Sequence, residues 1–306
     1  MRKEIRMKFF KRMSVTTALI AMLALATACG DKKGANADAV QQQSTEAEAQ
    51  QREMTPQERY EAMSVYQQED VDSMDARITM DMDMSMGGES VKSVTEMRMT
   101  FFMEPLKARM EMNIDMDELG SQEMQIYIEG TEDNKGMMYI FDGTSWTVQE
   151  STDISAAMEQ YDARGTFNVY VDGITDIKEV GKEKIDGRET VKLTGISKGE
   201  DMKESMLASG SLDSLSSVLD EEQLNSLFEG LENENSQIEF WVDAETNEMV
   251  KCTYDMTSAM NKIYENMSAL IPEAGMELSV DKMVVSIDNI SYNNAEDFEI
   301  PAEAKQ

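Results

Sequence analysis

The 306-residue chain contains no histidine. That absence removes the commonest general base and the commonest transition-metal ligand, so Ser-His-Asp and Cys-His hydrolases and histidine-containing zinc sites are excluded. Cysteine is nearly missing too, occurring only as Cys29 and Cys252. If Cys29 is committed elsewhere, the domain has no internal disulfide. There are four prolines, and no internal linker rich in Pro or Gly divides the chain. A Gly-rich phosphate loop of the P-loop or dinucleotide type is also lacking. Basic residues are scarce, with 28 Lys and Arg against 60 Asp and Glu. A charge of that sign repels nucleic acid and anionic headgroups, which excludes polyanionic partners. Among so many acids any carboxylate spacing arises by chance, so no catalytic pair stands out. The expectation is a protein that is not an enzyme and needs no cofactor.

Long apolar runs are limited to one, Val15 to Ala26, which is uncharged and follows Arg2, Lys3, Arg6, Lys8, Lys11 and Arg12. A transmembrane helix needs roughly 20 apolar residues. This shorter run behind a basic segment has the layout of a signal peptide. Residues 25–29, LATAC, resemble the lipobox of bacterial lipoproteins. The resemblance implies cleavage before Cys29, diacylglycerol on its thiol, and an amine that can be acylated, for instance by palmitate. From Gly30 to about Arg52 the chain is Gly, Ala, Gln, Ser, Glu and Lys with almost no large apolar side chain. Such a stretch cannot bury enough surface to offset its ordering entropy, and reads as a flexible tether. The expected organisation is a signal peptide over 1–28, a tether over 29–54 and one β domain over 55–306. The protein would sit on the extracytoplasmic face of the cell membrane, held by the lipid on Cys29. Residues 1–28 hold six basic and one acidic residue, so the remainder has 22 basic and 59 acidic residues and a net charge of −37.

Thr55-Pro56-Gln57-Glu58 has the Thr, the Pro at the first helical position and the Glu of a capping box, with a helix expected through roughly 65–72. The period then changes to two. Ile78, Met80, Met82, Met84 and Met86 alternate with Arg77, Thr79, Asp81, Asp83 and Ser85, which predicts a strand with one apolar face. Gly87-Gly88 supplies a turn. A second strand carries Met97, Met99, Phe101 and Met103, and after Pro105 a third carries Leu106, Ala108, Met110, Met112, Ile114 and Met116. A fourth has Met124, Ile126 and Ile128 on one face. Hairpins are expected across Asp142-Gly143 and Asp186-Gly187. Residues 151–164 read as a helix, and 201–231 as helical with a break at Gly210 and a cap at Asp220 with Gln223. Strands with Ile238, Phe240 and Val242, and with Val250, Cys252, Tyr254 and Met256, flank a turn at 243–247. A helix over 259–270 precedes the last strand, 276–292. There the apolar parity shifts between Val280 and Met283, which predicts a β-bulge.

This order of elements resembles the LolA-like superfamily of lipoprotein carriers and lipoproteins of the LppX type. The resemblance is carried by the stretch IEFWVDAETNEMVKCTYDM, which looks like the family's strand, Asp-containing turn and returning strand, and by the closing SIDNISYNNAEDFEIP. It implies an α+β, mainly antiparallel fold in which a curved half-barrel sheet is covered by a few helices. It also implies a cavity that binds acyl chains.

Twenty-nine methionines are present, eleven of them on the inferred inner face of the first four strands. Three readings compete. Methionine fills irregular cores. Its flexible thioether also suits a cavity that adapts to several acyl chains, which would make Met80, Met82, Met84, Met97, Met99, Phe101, Met110 and Met112 ligand-binding residues. Thioethers also select Cu(I). However, sulfurs two residues apart on one strand lie roughly 7 Å from each other, too far for one ion to bridge without help from another strand, so no metal site is expected. Cys252 reads as a buried inert thiol. The function read from the sequence is a membrane-anchored, noncatalytic binding module for a hydrophobic ligand, a lipid or acyl group. The alternative is a structural or adhesive surface lipoprotein that binds a protein partner, of a kind the sequence does not specify, and has no ligand cavity.

Overall fold

In the computed structural model, which describes residues 53–69, 71–86, 88–117, 120–131, 135–151, 173–208, 219–270 and 278–305, the period-two segments are strands. The expected signal peptide, Cys29, nearly all of the tether, the helix over 151–164 apart from Ser151, and the break at Gly210 lie outside these residues. The strands are β1 (Ser73–Met86), β2 (Glu89–Phe102), β3 (Lys107–Asp115), β4 (Ser121–Gly130), β5 (Gly136–Phe141) and β6 (Trp146–Ser151). They are followed by β7 (Thr175–Ile185), β8 (Arg188–Lys198), β9 (Asn235–Asp243), β10 (Met249–Asp255) and β11 (Leu278–Tyr292). All eleven form one sheet in the order β6-β5-β4-β3-β2-β1-β11-β10-β9-β8-β7. Every described pairing is antiparallel, from β1 with β2 to β8 with β9. The fold is therefore α+β and mainly antiparallel, an open sheet with β6 and β7 as its edges.

Local chemistry sets the register. At the β7–β8 hairpin both central residues, Asp186 and Gly187, have positive φ (49° and 86°). This is the backbone whose twist matches the flanking strands, and Asp-Gly adopts it at low cost. The bulge expected in the last strand is present. Asp83 pairs with Lys282 and Met84 with Val280, which leaves Asp281 extra and turns Val280 and Met283 to the same face. A second irregularity sets Asn289 and Ile290 opposite Ala76, with Asn289 at φ 52°.

Among the described residues four α-helices accompany the sheet: α1 (Pro56–Glu69), α2 (Gly199–Ala208), α3 (Glu221–Ser226) and α4 (Thr257–Leu270). The first corrects the expected span of 65–72. Reciprocal bonds from Thr55 N–H to the Glu58 carboxylate and from Glu58 N–H to the Thr55 hydroxyl start the helix at once, and it ends at Glu69. The cap expected at Asp220 is also made, with Gln223 N–H bonding the Asp220 carboxylate at 2.9 Å. Buried Arg59 fastens α1 to the β9–β10 turn, donating to the Asn247 side-chain oxygen at 3.0 Å and to the Asp243 carbonyl at 3.4 Å. On the same side of the sheet the Tyr60 and Phe240 rings lie 6.0 Å apart.

The core lies on one face of the sheet, running without a break from Ile126 on β4 to Val191 and Leu193 on β8, with Met63 of α1 and Ala259, Met260, Ile263 and Tyr264 of α4 packed into it. A smaller cluster forms on the opposite face, where the C-terminal segment lays Phe298, Ile300 and Ala304 over Tyr127 and Tyr139.

The β9–β10 turn is held by a buried acid. The Asp243 carboxylate accepts from Glu245 N–H (2.8 Å), Thr246 N–H (2.9 Å) and the Arg188 guanidinium (2.6 Å). Burial pushes its pKa up, but these donors outweigh it and hold the carboxyl below its ordinary value. A depressed pKa means that the stabilisation is full above the unfolded-state value, about 4, and disappears as the pH falls through the lowered folded value. Asp243→Asn is expected to cost about 1.5–3 kcal/mol at neutral pH. Urea denaturation of both proteins should show the gap narrowing in acid, and a gap that is constant with pH would refute the ionic origin.

Candidate functional site: the methionine-lined sheet face

Alternation and register bring the eight expected ligand-binding residues together. Met80, Met82 and Met84 come from β1, Met97, Met99 and Phe101 from β2, and Met110 and Met112 from β3. All belong to the continuous core cluster on one face. Directly opposed pairs are Met97 with Met112 and Met99 with Met110, and Met112 is also opposed by Met124 on β4. Met82 pairs on its other side with Met283 of β11. Two hydroxyl residues, Ser93 and Thr95, share this face opposite Met82 and Met80. They are the polar contribution of β2 to an otherwise apolar surface.

The two halves of the face differ. One cross-strand row runs Leu193, Phe240, Cys252, Ile287, Ile78, Met97, Met112, Met124, through eight strands from β8 to β4. Its β8–β10 end lies where α1 and α4 meet the sheet, and there Leu193, Ile238, Phe240 and Val242 are 0 % exposed. Its β2–β4 end is methionine, and the seven methionines of the expected site on β1–β3 keep 3–9 % exposure. The chain thus changes from stiff, sealed side chains to flexible, slightly open ones along a single row.

An open groove of about 930 Å³ borders Met97 and Met112. It is on the polar face, lined by Arg77, Glu96, Arg98, Glu111, Gln125 and Asp142 among others, and the alternation pattern gave no sign of it. Its two guanidiniums are already paired, Arg77 with Asp288 at 2.8 Å and Arg98 with Asp75 at 2.5 Å. Neither is free to hold an anion. Nearby, burial and a hydrogen bond to Glu111 push the Tyr127 phenol up to about 12, so it stays neutral and acts as a donor.

Among the described residues, no group of three or more Asp, Glu or Cys side chains is placed to hold a metal ion, and no helix is long and apolar enough to cross a membrane. Cys252 is fully enclosed between Phe240 and Ile287, and burial pushes its thiol pKa up. Trp241 packs on the opposite face with the Lys192 and Lys251 ammoniums 4.5 and 4.8 Å from its ring centre.

Among the described residues, the site is one apolar face of an open antiparallel sheet, with methionines on β1–β3 and helices packed into the same core. Residues 55–306 match the model of a family of unknown function (DUF6612), and the chain belongs to that family. No curated protein shows a significant sequence match. Among solved structures it is similar to LprF from Mycobacterium bovis, at 14 % identity and a TM-score of 0.41 over 81 % of this chain and 96 % of that one. It is also similar to the lipoprotein LppX from Mycobacterium tuberculosis (12 %, 0.38, 78 % and 96 %). A third is a LolA superfamily protein from Nitrosomonas europaea (10 %, 0.21, 79 % and 96 %).

The buried thiol can be checked directly. Cys252 is expected to resist an aromatic disulfide reagent in the native protein and to react fully after unfolding in guanidinium. Fast stoichiometric labelling of the native fold would show that β10 opens locally.

Proposed function

We propose that this protein is a membrane-anchored, noncatalytic binding module that holds a hydrophobic ligand, a lipid or acyl group, against the methionine-lined face of β1–β3. The observation that carries this reading is the change along one cross-strand row from sealed Leu193 and Phe240 to slightly open Met97 and Met112. A face meant only to be filled has no need of that change. Unbranched thioether side chains pack against one another when the face is empty and repack around an alkyl chain when it is not. Ser93 and Thr95 supply hydroxyls for a polar end of the ligand. In the same reading residues 1–28 are removed, Cys29 carries the lipid and 29–54 tether the domain 55–306 to the extracytoplasmic face of the cell membrane.

Replacing Cys29 with Ala and fractionating cells tests the anchor. The variant is expected to leave the membrane fraction, and retention equal to the parent's would refute lipidation.

The ligand site is tested by Met82→Ala, Met99→Ala and Met112→Ala, each in protein stripped of ligand. In a closed core each truncation costs about 2–5 kcal/mol, because neighbours relax only partly into the void. On a face that repacks, at least one of the three is expected to cost less than about 2 kcal/mol while retention of copurifying lipid, read by mass spectrometry, falls. Denaturation losses above about 2 kcal/mol at all three positions would overturn the reading.

A further inference from the structure

The register between β2 and β3 sets four thioethers in a two-by-two block, with Met97 opposite Met112 and Met99 opposite Met110. Met124 adjoins the block beyond Met112. Along either strand the members are roughly 7 Å apart. Across the strands, directly opposed residues have Cβ atoms only about 4.5–5.5 Å apart. Each methionine adds three rotatable bonds beyond Cβ or leading to it, so sulfurs from two strands can turn toward one centre. The distance that separates sulfurs on a single strand therefore does not apply here.

The choice of residue points the same way. Strand positions facing a core favour β-branched and aromatic side chains. This chain follows that preference on β8 and β9, with Val191, Ile238, Phe240 and Val242, and departs from it at Met97, Met99, Met110 and Met112 on β2 and β3. Leucine would match methionine in volume and apolarity. What methionine adds is a soft, neutral sulfur donor. The block contains no carboxylate, imidazole or thiolate, since the chain has no histidine and Cys252 lies on β10, three strands from β2. A donor set made only of thioethers disfavours Zn(II), Mg(II) and Cu(II) and selects Cu(I). All four side chains are buried but keep 4–9 % exposure, so the block is not sealed from solvent. The excess of Asp and Glu, 60 against 28 Lys and Arg in the whole chain, raises the concentration of cations around it.

We propose that Met97, Met99, Met110 and Met112 form a site for Cu(I), with Met124 available as a further donor. The site uses the sulfurs of the face, and substitution to leucine removes them at nearly unchanged volume. Full-length protein in mild detergent would be titrated anaerobically against the coloured Cu(I)–bicinchoninate complex. The parent is expected to withdraw about one copper per chain. The variant Met97→Leu/Met99→Leu/Met110→Leu/Met112→Leu should withdraw at least tenfold less, while its circular dichroism stays as in the parent. A control variant, Met80→Leu/Met82→Leu/Met84→Leu, should bind copper as the parent does. Copper-edge X-ray absorption of the loaded parent should show sulfur neighbours only. The proposal is overturned if the parent takes no copper from the complex, if the fourfold variant takes as much as the parent, or if the absorption spectrum requires nitrogen or oxygen ligands. Should the fourfold variant fold poorly, Met97→Leu/Met112→Leu replaces it, with the same tenfold loss expected. A parent that carries no lipid but binds copper as expected would count against the hydrophobic-ligand reading alone.

Discussion

The pairing of β1 with β11 is the constraint on which the rest of the molecule depends. β1 lies between β2, its neighbour in sequence, and β11, some two hundred residues later, and it pairs with both along nearly its whole length. Without that junction the chain would be two meanders, β1–β6 and β7–β11, each with one half-covered face. With it, the apolar faces of both meanders become one surface, and a single row of side chains runs from Leu193 to Met124. The bulge at Asp281 is what keeps the junction in phase. Without the extra residue, Val280 would turn its side chain to the polar face, because a one-residue slip reverses every position that follows.

The same junction divides labour between the halves. Behind β9 and β11 the sheet is sealed by α4, and Arg59 and Tyr60 fix α1 against β9 and the turn that follows it. Buried hydrogen bonds reinforce this half: the Tyr254 hydroxyl donates to Ser197 at 2.8 Å and the Tyr292 hydroxyl to the Met249 carbonyl at 3.1 Å. Directional bonds of this kind penalise any displacement that leaves one of the groups unpaired. The β1–β3 half presents thioethers on the corresponding face, which impose no such direction. A rigid half and an adaptable half on one continuous sheet is a suitable design for holding a variable ligand, because the rigid half keeps the register while the other repacks.

Much of this was legible in the sequence because alternation is a short-range signal. Met80 to Met84, Met97 to Phe101 and Ala108 to Ile114 announced their strands and the face they share. Asp186-Gly187 announced a turn through its φ requirement, and the slip between Val280 and Met283 announced a bulge. The extent of α1 was misplaced because the apolar pattern drew attention past the capping box that starts the helix. Partner strands were not legible. Nothing in the local pattern of Ile78 or Ile287 says that they meet, since that choice is made by the tertiary fold. The C-terminal segment was missed for a related reason: Phe298, Ile300 and Ala304 follow no strand or helix period, and they are placed by contact with Tyr127 and Tyr139 and by the Lys107 and Lys305 ion pairs. The polar groove depends on which charged side chains sit side by side, and so required the strand order.

The cost of methionine bears on why it was chosen. Ordering a methionine side chain on burial forfeits roughly 1.5–2 kcal/mol of rotamer freedom, against about 0.5–1 for leucine or isoleucine. Seven such residues on three adjacent strands therefore cost several kcal/mol more, in order-of-magnitude terms, than a leucine face of equal area, if all are held in single rotamers. Two conditions remove that penalty. Either the side chains are not held in single rotamers, and the face keeps residual freedom that a ligand can later consume, or a bond to sulfur compensates for fixing them. Residual exposure at every one of these methionines, beside residues with none on the same row, agrees with the first condition. The opposed pairs on β2 and β3 satisfy the geometry of the second. A face that was only filler would meet neither, and the cheaper side chains already used on β8 and β9 would have served it.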